Sequence, residues 1–232
     1  MCDKSISASK HGFKINSSKH TIVGHGINES LFYETENYKN KDRTTTNLNY
    51  VGRVSKIKNI HQILEALNIL KNKFENIRFI SNIYGDPLGK DANTYYGDLK
   101  KYCIENKLEK FVFFHKGIAR KKLNKIYNQT DILISLSSTN SLDKVILEAM
   151  AAKKIVLTSN LAFKDILVAN AYTSKCFLSS NNPELIAERI IDLINLNKKE
   201  KKIISVYFSK FIKKEHSFNN LIYKVQKLLK FL

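Results

Sequence analysis

The stretch that most constrains this chain is residues 131–159, DILISLSSTNSLDKVILEAMAAKKIVLTS. A short apolar run, Ile132-Leu133-Ile134, ends in small hydroxyl residues. Asn140-Ser141 then offers a helix cap, and Val145, Ile146, Ala149 and Ala152 recur at helical spacing before a second apolar run, Ile155-Val156-Leu157. The pattern predicts strand, polar loop, helix, strand. In such a unit the loop at the carboxyl end of the first strand faces the crevice where ligands bind, and the following helix presents backbone N–H groups to an anion. Asn140 and Ser141 are thereby placed to meet a ligand. Glu148 lies mid-helix between Leu147 and Ala149, and a carboxylate beside core residues is costly unless it is engaged. An engaged Glu148 is expected.

The rest of the chain repeats this alternation. Residues 1–20 are polar and basic without periodicity and read as a loosely ordered leading segment; residues 21–232 read as one domain. A short strand at 21–23 leads to the turn Gly24-His25-Gly26-Ile27-Asn28, and 36–47 is a polar loop. A strand at 48–51 ends in Gly52-Arg53, and past Lys58 a helix carries the stripe Ile60, Ile63, Leu64, Leu67 and Leu70. Gly52 permits a sharp turn, while Arg53 and Lys58 bring two cations to a loop and helix start that already favour anions.

Strands are expected at 77–84 and 110–114, with a helix over 94–106 between them that turns Tyr95, Leu99, Tyr102 and Cys103 inward. A short helix at Leu123, Ile126 and Tyr127 follows. Beyond Ser159 the pattern gives a last strand at 174–178, a helix capped by Asn182-Pro183, and lysine-rich helices over 198–213 and 218–231. Five or six strands alternating with helices predict an α/β fold: a single Rossmann-like, doubly wound parallel sheet with extra C-terminal helices.

Composition sets the limits. The chain has 232 residues, 43% of them hydrophobic, enough for one sizeable core. The net charge of +18 suits nucleotide phosphates, an anionic membrane leaflet or nucleic acid. It comes from 34 Lys and only 5 Arg, and Lys lacks the bidentate fork that specific base recognition favours, so nucleic acid ranks last. A lysine-rich composition without any binding role stands beside these readings. Cys2, Cys103 and Cys176 are sparse, and the six His show no metal-ligand spacing; no metal and no cofactor are expected. The N-terminus lacks an apolar signal core, and no run approaches the roughly 20 apolar residues that span a bilayer. The reading is a cytoplasmic protein, with the inner membrane face as a site of peripheral contact.

Leu142-Asp143-Lys144-Val145-Ile146-Leu147-Glu148-Ala149-Met150-Ala151 resembles the glutamate-seven-residues-glutamate region of the group 1 (family 4) glycosyltransferases of GT-B fold. Glu148 matches the second glutamate, Asn140 stands at the first, and Lys153 replaces the glycine that ends the family's helix. The turn at Gly26, with Phe32 at the expected apolar position, resembles the one that opens the family's carboxy-terminal domain. Arg53, Lys58, Gly85 and Gly117 follow in the family's order, and Glu215-His216-Ser217-Phe218 resembles its end.

The resemblance implies a retaining, metal-independent hexosyltransferase that uses a nucleotide-diphosphate sugar. By that analogy Arg53 and Lys58 hold the departing diphosphate, and Glu148 accepts hydrogen bonds from the ribose. Gly26 and Gly85 lie near the donor, Gly117 and Ile118 near the nucleobase, and Asn140 with the backbone N–H groups of Ser141 and Leu142 near the sugar. It further implies an acceptor-binding amino-terminal domain, to be supplied by a separate domain or subunit. Three readings follow: a donor-binding domain active with a partner, a non-catalytic nucleotide-binding module, or a basic protein that binds nucleic acid or membrane.

Overall fold

The computed structural model describes residues 4–12, 16–33, 44–139 and 141–229. Its centre is a five-stranded, wholly parallel sheet in the order β5-β4-β3-β6-β7. The strands are β3 (Thr46–Val51), β4 (Phe79–Tyr84), β5 (Val112–His115), β6 (Ile132–Ser135) and β7 (Ile155–Thr158), preceded by a separate parallel pair, β1 (Ser5–Ser7) with β2 (His20–Ile22). Parallel neighbours need crossovers, and helices supply them: α1 (Ile60–Lys73), α2 (Ala92–Glu105), α3 (Leu123–Gln129) and α4 (Lys144–Ala151). Short α5 (Lys164–Leu167) and α6 (Ala171–Ser174) lead to α7 (Pro183–Ile194), α8 (Lys198–Phe211), a π turn at Ile212–His216, and α9 (Phe218–Leu229).

The periodicity read from the sequence is the packing that results. Ile60, Ile63, Leu64, Leu67 and Leu70 are all buried on the inner face of α1, which packs on α7. Every residue of β6 and β7 is buried, as expected of strands covered on both faces. Helix α7 begins as foreseen, with Asn182 Oδ1 accepting from Leu185 N–H at 3.0 Å and Pro at its first turn. Lys153 adopts a left-handed φ of 60° just beyond α4, where its N–H donates to Met150 O (3.0 Å) and that of Lys154 to Ala149 O (2.9 Å). That Schellman closure is the geometry in which glycine is strain-free, and here a lysine bears it.

The structure corrects four expectations. The described part of the leading segment is ordered: β1 pairs with β2, and Ser5 and Ser7 hydroxyls share the His20 ring at 2.9 Å each, a local network that no periodicity announces. The last strand is absent; Ser174 ends α6, and only Phe177 forms an isolated bridge to Thr158. The cap expected at Asn140-Ser141 falls later, at Asp143, because α4 starts at Lys144. The 36–47 loop gives way to β3 from Thr46. Asn140 itself, most of that loop and residues 230–231 lie outside the described residues.

The sheet order contains a switch. From β3 the chain steps outward to β4 and β5, then returns across both to lay β6 on the other side of β3. The loops leaving β3 and β6 diverge there, and the crevice between them is where doubly wound sheets bind ligands.

Candidate functional site

Backbone geometry builds the floor of this crevice. Gly52, with φ +152°, ends β3, and the Tyr50 hydroxyl donates to Arg53 O at 2.7 Å, closing the turn. Gly85 lies against it; a Cβ added there would come within 1.7 Å of Gly52 O. Gly117, after β5, sits beside the Asp86 carboxylate, and Ile118 packs half-buried on the core. Arg53 is exposed at the crevice edge.

The loops on either side of the switch are stapled together. Asn59 Nδ2 donates to Leu136 O and Ser138 Oγ, each at 2.7 Å, and Ser138 N–H donates to Ile57 O at 3.0 Å. Lys58 crosses the same gap: its ammonium donates to Ser137 Oγ (3.1 Å) and to both carboxylate oxygens of Asp143 (2.9 and 3.1 Å). Only 9% of Lys58 is exposed. Asp143 takes the cap position of α4, yet its side chain makes no capping bond to the helix.

Glu148, one turn into α4, is buried and engaged: Tyr127 of α3 donates its hydroxyl to Oε2 at 2.9 Å. Burial raises the Glu148 carboxyl above the usual carboxylate range, opposed by the Tyr127 hydrogen bond and by the charges of Arg120 and Lys144. Burial, reinforced by the Glu148 charge, pushes the Tyr127 hydroxyl well above its ordinary value.

The back of the crevice is held by the amino-terminal turn. His25 Nε2 lies 3.1 Å from Leu142 O, and Asn160 Nδ2 donates to Ser141 O at 2.9 Å. His25 N–H in turn donates to Nδ1 of His216 at 3.2 Å. Desolvation lowers both imidazoles, His216 to about 4. Gly26 follows in the same turn, where an added Cβ would meet Leu221 and Phe218 of α9.

The structure thus brings Lys58, Ser141, Leu142 and Glu148 to the loop and helix that follow β6, with Arg53, Gly85 and Gly117 along the neighbouring strand ends. Sequence reasoning missed Asp143, Ser137, Tyr127, His25 and Asn160. Asp143 was legible as an aspartate directly before a helix, but its partner lies 85 residues away. His115, at the end of β5, has a structural role: its ring stacks on Tyr84 and bonds Asn82 Oδ1 at 2.8 Å. A cavity of about 720 Å³ lies elsewhere, between the leading segment, α8 and α9, and touches the crevice loop at Leu142. Among the described residues no three His, Cys, Asp or Glu side chains are placed to share a metal ion, and no helix is long and apolar enough to cross a membrane.

A doubly wound parallel sheet with a buried lysine and a buried carboxylate beside its switch point defines an α/β domain of the Rossmann-like class. Residues 20–206 match the family described as glycosyl transferases group 1, and the chain belongs to that family. It is 28% identical over 197 residues to an uncharacterized glycosyltransferase of Methanocaldococcus jannaschii, covering 84% of this chain and 47% of that protein. It is 26% identical over 158 residues to spore coat protein SA of Bacillus subtilis, covering 66% and 41% respectively. The chain therefore spans less than half the length of these curated relatives.

Among solved structures, Anabaena HepE in complex with UDP and glucose superposes with a TM-score of 0.83 at 16% identity, covering 99% of this chain and 63% of that one. The C-terminal domain of a group 1 glycosyltransferase from Francisella tularensis gives 0.68 at 20% identity, with 83% and 99% coverage. The fold is that of the carboxy-terminal half of a GT-B glycosyltransferase.

Proposed function

We propose that this domain binds a nucleotide-diphosphate sugar in the switch-point crevice and takes part in transferring its hexosyl group, with retention and without a metal, to an acceptor held by another domain or a partner. The observation that carries the reading is Lys58, which reaches from the β3 loop to the head of α4, the helix that bears Glu148. Membership of the glycosyltransferase family supports it, as does the binding of UDP and UDP-glucose by the similarly folded Anabaena protein.

As the bond from the anomeric carbon to phosphate oxygen breaks, negative charge grows on the departing diphosphate and positive charge on the sugar ring. Arg53 and Lys58 stabilise the first. Glu148 accepts hydrogen bonds from the ribose hydroxyls, and Tyr127 holds its carboxylate in place. Asn140 and the backbone N–H groups of Ser141 and Leu142 contact the sugar, while Gly85, Gly117 and Ile118 border the nucleotide. An amide at position 140 donates and accepts hydrogen bonds but supplies no charge.

The test is calorimetric titration with UDP, GDP and ADP. One nucleotide is expected to bind, with Arg53→Ala and Glu148→Ala each weakening it about tenfold, about 1.4 kcal/mol. Binding indifferent to both substitutions would refute the site.

A further inference from the structure

The lysine carried deepest into the crevice already holds an anion. Asp143 offers both carboxylate oxygens to the Lys58 ammonium, at 2.9 and 3.1 Å, in a pair whose side chains are only 11% and 13% exposed. An aspartate at a helix cap normally turns its carboxylate to the N–H groups of the first turn. Asp143 has the extended backbone of a cap (φ −75°, ψ 119°) and makes no such bond. Helix α4 consequently begins without a side-chain cap, with no acid in its first turn and with Lys144 as its first residue. Two oxygens on one buried ammonium, at the head of an uncapped helix, is the arrangement a phosphate group would make there.

We propose that Asp143 is a built-in competitor for this site: its carboxylate occupies the Lys58 subsite, and a nucleoside diphosphate binds by displacing it. The inference rests on the nucleotide-binding reading of the crevice and concerns how that site is regulated. Two like charges cannot share one ammonium at low dielectric without repulsion, so ligand and carboxylate exclude each other. Ser137, itself buried, keeps its hydrogen bond to Lys58 when the carboxylate leaves, so the lysine stays in position for the incoming phosphate. As the nucleoside diphosphate departs, the carboxylate returns and Lys58 is never left buried without a counter-charge, a state that is strongly disfavoured. Asp143 thereby lowers affinity and speeds release.

The experiment titrates the wild type, Asp143→Asn and Asp143→Ser with UDP, GDP, ADP and inorganic pyrophosphate at one ionic strength, with a thermal melt of each protein to confirm folding. Both replacements remove the charge and keep a side chain able to cap α4, so folded material is expected from at least one. The expected result is binding about tenfold tighter than wild type, a gain that disappears when Lys58→Ala is added. Folded variants that bind equally or more weakly would overturn the proposal and make Asp143 a positioning residue for Lys58. That outcome, alongside wild-type binding weakened by Arg53→Ala and Glu148→Ala, sinks the competitor alone. No binding of any probe by any variant sinks the nucleotide reading and the competitor with it.

Discussion

The crevice after β3 and β6 and the flank formed by the leading segment with α9 are both rich in charge, and they are built in opposite ways. In the crevice the polar groups are buried and bonded to one another: Lys58 to Asp143 and Ser137, Glu148 to Tyr127, Asn160 to Ser141. On the flank, Lys10 pairs with Asp165 and Lys224 with Glu215 near solvent, around a cavity of about 720 Å³, and α9 has no buried residue. Breaking a buried pair costs about 3–5 kcal/mol, whereas an exposed pair is worth roughly 0–1 kcal/mol. Geometry is fixed where a ligand would be held and left loose where the chain meets its surroundings.

The strongest way to break this comparison is Gly85→Ala. A Cβ 1.7 Å from Gly52 O cannot be accommodated without moving the floor of the crevice, so a loss of about 3 kcal/mol or more is expected from overpacking backbone on backbone. Denaturant unfolding measures it, and a wild-type midpoint would show that the floor is not rigid.

Next in size is acid. His216 is buried, its imidazole lowered to about 4 first by desolvation and then by His25 and Lys224, with Glu215 opposing. A lowered imidazole contributes stability that is present above the unfolded value, about 6.5, and is lost as pH falls toward the folded value of about 4. His216 alone then accounts for a loss on the order of 3 kcal/mol across that window, and His25 adds in the same direction. Unfolding followed against pH should show the slope, and His216→Gln should flatten most of it. An equally steep profile in that variant would place the acid sensitivity elsewhere.

The smallest effect belongs to the outer side of α9. Tyr223 and Leu229 are 64% and 62% exposed, so Tyr223→Ser and Leu229→Ser should shift stability by less than about 0.5 kcal/mol. A larger loss in this chain would mean that the flank is as tightly built as the crevice.

Much of the fold was legible because it rests on periodicity. The α1 stripe, the buried strands 132–135 and 155–158 and the Asn182-Pro183 start all express local spacing. Arg53 and Lys58 were legible for the same reason, since a strand ending in Gly-Arg before a helix fixes where those cations emerge. The β1–β2 pair was not, because three-residue strands carry no usable period and are joined through His20 and two serines. The strand expected at 174–178 failed because the helical turn of 171–174 carries on into it, Cys176 N–H donating to Thr173 O and Phe177 N–H to Ser174 O.

By itself the sequence determined the alternation of strands and helices, the parallel sheet it must build, and the burial of Glu148 beside core residues. These follow from spacing, which each segment carries within itself. Tertiary structure alone decided what those groups touch. Asp143 meets Lys58 across 85 residues and Tyr127 meets Glu148 across 21, because the sheet order returns β6 to the side of β3. No local pattern encodes that return; it is set when the whole apolar core closes.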